Sequence, residues 1–116
     1  MTEVVRRGSV YYVRFSDGSK AYLAFEIEGN VMKLLETYTP PRYRGKGYAK
    51  LLVERAIRDA KAQGLKVYPV CSYAVYYFIK NPSERDVLVS PLSGMSDEEL
   101  VKLFKERIKE ERQRKA

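Results

Sequence analysis

The chain has 116 residues, 45% of them hydrophobic and 32% charged, with a net charge of +7. No run approaches the roughly 18–20 apolar residues that span a bilayer, and the opening stretch MTEVVRRGSVYYV lacks the layout of a secretory leader. With no histidine and a single cysteine, a Ser-His-Asp triad, a Cys-His pair, a His-ligated metal, a structural zinc and an internal disulfide are all excluded, so no metal is expected and a reducing, cytoplasmic setting is.

The first third reads as antiparallel β structure. SVYYVRF (9–15) is β-branched and aromatic, and the turn signal SDGS (16–19) follows it. KAYLAFEIE (20–28) alternates, with Leu23, Phe25 and Ile27 on one face, and Gly29-Asn30 is a hairpin turn. VMKLLETYT (31–39) makes a third strand, which Pro40 and Pro41 end. Three strands with short turns form a meander.

The period then changes. Ala49, Leu52, Val53, Ala56, Ile57 and Ala60 fall on one helical face, and Gly64 is placed to close that helix. LKVYPVC (65–71) reads as a buried strand, so strand, loop, helix and strand make a βαβ unit with strands 31–39 and 65–71 parallel. Ser72 is the expected N-cap of a short helix (73–81) ended by Pro82. RDVLVS (85–90) is read as a last short strand and SPLSG (90–94) as a linker. Ser96 and Glu99 then form a capping box ahead of an amphipathic helix (97–113) with Leu100, Leu103, Phe104 and Ile108 in one stripe.

The stretch between meander and helix carries the chemistry. RYRGKGYAK (42–50) has four positive charges, no acid and two glycines at the start of a helix. Free backbone N–H groups and the positive end of the helix dipole attract phosphate there, and Gly45 and Gly47 let the backbone approach an anion closely. A nucleoside triphosphate, a dinucleotide and coenzyme A are the candidate ligands. The Walker A pattern is not met, and the dinucleotide fingerprint would need a glycine where Lys50 stands.

RGKGYA (44–49) resembles the Q/R-x-x-G-x-G/A pyrophosphate loop of the GCN5-related N-acetyltransferases, with Arg44, Gly47 and Ala49 in the defined positions. GLKVYPVCSYAVYYFIKNP (64–82) is similar to the small, stand-alone acetyltransferase-like family within that superfamily, matching at Pro69, Cys71, Ser72, Tyr73, Tyr77 and Pro82. Two positions depart from that family: Asn81 stands where it has histidine, and Glu36, Thr37 and Tyr38 where it has His-Thr-Glu. The resemblance covers roughly residues 20–89. It implies an α+β fold: a meander and a βαβ unit whose central parallel strands splay to admit a pantetheine arm, followed here by the C-terminal helix. The expected organisation is a minimal acetyl-CoA-binding domain over 1–92 and a basic helical extension over 93–116. Pro69 reads either as the place where the splay opens or as an edge-strand proline without a role.

The resemblance further implies direct attack of an amine on the thioester of acetyl-CoA, with Arg42, Tyr43, Arg44, Gly45, Lys46, Gly47, Tyr48, Ala49 and Lys50 holding the cofactor. Tyr77 is the candidate general acid, with Tyr73 and Tyr76 as substitutes. Glu36 is the first candidate base and Glu26 the second. Cys71 is a candidate covalent nucleophile, or else a small buried hydrophobe. With little of the family's usual N-terminal helical segment, the acceptor site is expected to be open and shallow, suited to a protein lysine, a protein N-terminus or a polyamine. Two other readings stay open: a module that binds coenzyme A without transfer, and a nucleic-acid or ribonucleoprotein binder. In either case the basic C-terminal helix is the candidate contact for an acidic protein, a nucleic acid or a second copy of the chain.

Overall fold

The computed structural model describes residues 3–115. Five strands form one sheet in sequence order: β1 (Val5–Arg7), β2 (Val10–Arg14), β3 (Lys20–Glu28), β4 (Val31–Tyr38) and β5 (Lys66–Pro69). The first four are antiparallel neighbours, and β4 runs parallel to β5. The three-strand meander is there as expected, and β1 adds an edge strand to it. Between β4 and β5 lies α1 (Tyr48–Ala62), then come α2 (Ser72–Lys80) and α3 (Asp97–Lys115). No described helix is long and apolar enough to cross a membrane.

Helix α1 buries Leu52, Val53, Ala56, Ile57 and Ala60 against the inward residues of the sheet, among them Leu23, Phe25, Met32, Leu34 and Val67. It ends in a Schellman motif: Leu65 N–H donates to Ala60 O at 2.8 Å and Gly64 N–H to Lys61 O at 3.2 Å, with Gly64 at φ +69°. The capping box forms, Ser96 N–H donating to Glu99 Oε1 at 3.0 Å and Glu99 N–H to Ser96 Oγ at 3.2 Å.

Three sequence expectations change. The N-cap of α2 is Cys71, whose sulfur accepts from Ala74 N–H, and Ser72 is the first helical residue. The expected strand over 85–90 is instead a 3-10 helix, Pro82–Val87, with one bridge from Leu88 to Val67. Arg85 explains this: its guanidinium donates to Phe78 O at 2.8 Å and Ile79 O at 3.2 Å, drawing the segment back onto the end of α2. The expected linker is a packed 3-10 turn, Leu92–Gly94, with Leu92 buried.

A polar tie crosses the sheet–helix interface. Tyr11, fully buried, donates its hydroxyl to Asp59 at 2.8 Å, and Arg55 pairs with the same carboxylate at 3.1 Å and donates to Val4 O at 2.8 Å. Burial raises the Tyr11 phenol, helped by Asp59, to about 12. Burial also acts to raise Asp59, but the bonds from Tyr11 and Arg55 outweigh it and hold the carboxyl below 3.8. The two signs are opposite. Asp59 stabilises fully above 3.8, and that contribution is lost as pH falls through its lower folded value. Tyr11 stabilises fully below 10.0, and that contribution is lost as pH rises toward 12. Urea midpoints measured against pH are expected to fall at both ends, and Asp59→Asn flattens the acid limb while costing about 1–2 kcal/mol at neutral pH.

Candidate active site

Tyr38 ends β4, a 3-10 turn spans Pro41–Tyr43, and Gly47 is the N-cap of α1 at φ +86°. Gly45 also has positive φ, +78°. An added Cβ at either glycine would point into open space, so the backbone conformation, rather than protein packing, demands glycine there. The backbone N–H groups of residues 45–50 find no acceptor among the described residues, the first helical bond being Leu51 N–H to Gly47 O. No acid occupies the first turn of α1. Four of these free donors, at residues 47–50, stand at the positive end of a 15-residue helix and make an anion cradle.

Aromatic rings brace this loop from below. Phe15 stacks on Tyr43 with centroids 3.7 Å apart and meets Tyr48 edge-on at 4.9 Å. Arg44 Nε donates to Thr39 O at 2.7 Å and its guanidinium lies over the Tyr38 ring. A cavity of about 430 Å³ is lined by residues 37–39, 43–45 and 47–50 and by Tyr73. Seven of the nine predicted cofactor-binding residues therefore meet around one space. Arg42 and Lys46 stand outside it: Arg42 reaches Asp17 at 3.7 Å, and Lys46 lies over the outer face of the Tyr43 ring.

The splay is present, and its origin is local. Pairing between β4 and β5 ends at Leu34 and Pro69. At that point β4 bulges, since Phe25 pairs with Leu34 but Ala24 with Glu36, leaving Leu35 as the extra residue. Beyond it, β4 pairs only with β3, so residues 36–38 offer an unpaired backbone edge toward β5. Pro69 does not cause the break. Lys66 and Val70 donate to Asn30 O and Leu34 O, so by the two-residue period the nitrogen of Pro69 faces the other edge.

A second cavity of about 370 Å³ fills the splay, between residues 35–38, Cys71 and Ser72, with Glu111 and Arg114 of α3 above. It shares Thr37 and Tyr38 with the loop cavity. The two cavities therefore adjoin at residues 37–38, the anion cradle at one and the split at the other. An extended amide-bearing arm laid along residues 36–38 could pair with the free strand edge.

The catalytic candidates separate. Glu36 is exposed, lines the split, and its Oε2 accepts the Tyr22 hydroxyl at 2.7 Å. Glu26 stands opposite Lys33, away from both cavities. Cys71 lines the split but is only 4% exposed. Burial raises its thiol, while bonds from Ala74 and Thr37 act the other way and the charge of Glu111 adds to the rise. Tyr77 is buried facing α1, its hydroxyl 3.5 Å from Glu54 Oε2, at a separate pocket with Lys61 and Glu84. Burial, then Glu54, raises its phenol to about 12. Tyr76 instead meets Phe104 of α3. Tyr73, one turn before Tyr77, is the tyrosine of α2 that lines the loop cavity, and burial raises its phenol also. Asn81 donates from Nδ2 to Tyr77 O at 2.8 Å, closing the end of α2.

Sequence reading missed Phe15, the Leu35 bulge, Glu111 and Arg114. Phe15 had a signal, an aromatic immediately before a turn. The other three act through partners distant in sequence and carry no local signature.

Residues 10–87 match the GCN5-related N-acetyl-transferase family. The fold is also similar to the NMR solution structure of a GCN5-like putative N-acetyltransferase from Staphylococcus aureus, with a TM-score of 0.59 and 21% identity over 75% of this chain and 87% of that one. A match over more than half the chain, on a fold with the bulged, splayed sheet and the glycine loop described above, identifies an acyltransferase: the chain belongs to the GCN5-related N-acetyltransferase family.

Proposed function

We propose that the protein transfers the acetyl group of acetyl-CoA to a primary amine by direct attack within a ternary complex. The observation that carries this is the pair of cavities that share Thr37 and Tyr38, one at the free amides where α1 begins and one in the split beside Leu35. Arg44, Gly45 and residues 47–50 would hold the pyrophosphate, and the free edge of residues 36–38 the amides of the arm. Acetyl-CoA supplies the activated thioester; the protein supplies alignment and proton transfer. Glu36, directly or through a water, takes the proton that the acceptor ammonium must lose before its nitrogen can attack. As the new C–N bond forms and the C–S bond breaks, the Tyr73 phenol gives its proton to the departing sulfur, and the second proton that the acylated nitrogen must lose restores that phenol, leaving an amide and a free thiol. We place Tyr73 rather than Tyr77 in this role because Tyr73 lines the loop cavity and follows directly on Cys71 and Ser72 of the split, whereas Tyr77 lies in a separate pocket with Glu54. Cys71 caps α2; its burial favours the neutral thiol, which supports attack without a covalent enzyme intermediate.

Calorimetric titration of acetyl-CoA tests the reading. Binding at micromolar concentration supports it, and no binding at millimolar acetyl-CoA overturns it. Tyr73→Phe is expected to lower kcat about 100-fold with acetyl-CoA affinity kept, whereas Tyr77→Phe leaves kcat within about threefold. The reverse ranking would return the acid role to Tyr77.

A further inference from the structure

The family match ends at residue 87 and α3 begins at Asp97, so α3 brings to the split residues that the matched segment does not contain. Its position is fixed along its length. Leu100 is fully buried, Arg85 Nη1 pairs with Asp97 at 2.7 Å, and Phe104 packs on Tyr76 with centroids 5.8 Å apart. Arg107 Nη2 donates to the Tyr68 hydroxyl at 3.0 Å. These anchors hold the last turns of α3 over the cavity.

There Glu111 uses both oxygens on one residue. Oε2 accepts Ser72 N–H at 2.8 Å and Oε1 accepts Ser72 Oγ at 2.7 Å. The carboxylate thereby caps α2 from another element and holds Ser72, next to Cys71, as the wall of the split facing β4. The two adjoining cavities also differ in charge. Arg44, Lys50 and the free amides line the loop end; the far end carries the carboxylates of Glu36 and Glu111 and, among the described residues, Arg114 as its one cation.

Resting on the reading of this cleft as the acetyl-transfer site, we infer that the last turns of α3 form its acceptor side, with Glu111 as a positioning residue and Arg114 as a charge filter at the mouth. The acceptor that fits is an amine with one ammonium group on an otherwise uncharged chain, such as a lysine side chain. Both oxygens of Glu111 are engaged by Ser72, so Glu36 is left to meet one ammonium, and the further positive charge of a polyamine meets Arg114. The acceptor site is thus walled by the protein's own extension, in place of the open surface expected from sequence.

The test uses the full chain, acetyl-CoA, and two probes: Nα-acetyl-lysine amide and spermidine. Glu111→Gln is expected to raise KM for both amines about tenfold while the Kd for acetyl-CoA stays within about twofold. Arg114→Glu is expected to lower the spermidine KM about tenfold and leave that of the lysine amide within about threefold. If Glu111→Gln does not fold, Ser72→Ala removes one of the same bonds from the other side and is expected to raise both amine KM values. Unchanged amine KM in the Glu111 or Ser72 variant and in Arg114→Glu overturns the inference. So does a parallel loss of acetyl-CoA affinity, or absence of transfer to both amines while acetyl-CoA binds. Failure of acetyl-CoA to bind the unaltered protein is the distinct result that removes the transfer reading, and this inference with it.

Discussion

With the glycine loop holding acetyl-CoA as proposed, Gly47→Asp is expected to raise the Kd for acetyl-CoA at least about 100-fold, or roughly 2.7 kcal/mol. Two effects act in one direction. The backbone at Gly47 sits at φ +86°, where a side chain costs about 1–2 kcal/mol and pulls the loop away from its geometry. The new carboxylate also enters the space beside the free N–H groups of α1, where it can cap the helix itself and repels a diphosphate. Gly47→Ala separates the two, since it carries the strain without the charge, and about a tenfold loss is expected. Gly29→Ala, in the β3–β4 turn at φ +61°, is the control: it lowers the melting temperature and leaves affinity unchanged. Titration calorimetry reads all three. Wild-type affinity in Gly47→Asp would mean that the anion is held elsewhere.

The largest expected effect on stability comes from Leu100→Ala. Leu100 of α3 is fully buried and α3 packs on α2; removing the side chain costs the lost burial and the cavity left behind, about 3 kcal/mol. For a chain of this size the melting temperature falls by about 10–15 °C. Because Arg85 ties Asp97 of α3 to the Phe78 and Ile79 carbonyls of α2, the loss spreads to both helices. Amide exchange is expected to rise in α2 as well as in α3. A rise confined to α3, with α2 exchange unchanged, would show that the extension is an independent appendage.

Much of the fold is legible in the amino-acid sequence. The meander, α1 and the parallel step to β5 are written in short-range periodicity and in glycines at forced conformations, and local signals survive translation into three dimensions well. The loop can be read because its glycines, basic residues and helix start are contiguous. The misreadings share a cause. Ser72 looks like a cap because hydroxyls usually cap, but one residue of register gives that place to Cys71. Leu88 and Val89 have β propensity, yet Arg85 has a better use for the preceding segment at the end of α2. Tyr73 and Tyr77 are a different case: they share one helical face, and the choice of Tyr73 proposed above turns on where along α2 the start of α1 lies, a difference of about 5.4 Å. Glu111 is 39 residues from Ser72, and no pattern in either segment announces the pair.

The outward-facing nitrogen of Pro69 has an implication for solubility. The split lies between β4 and the last strand, β5, so the outer side of β5 and the bare end of β4 are both open edges, and unpaired edges recruit strands from other chains. On the outer side of β5, Pro69 offers no donor, and Val89 already occupies Val67 O at 3.0 Å, which blunts that edge. On the inner side, the bare stretch of β4 lies under the last turns of α3. The extension therefore also keeps a deliberately incomplete sheet from being completed by a neighbouring molecule.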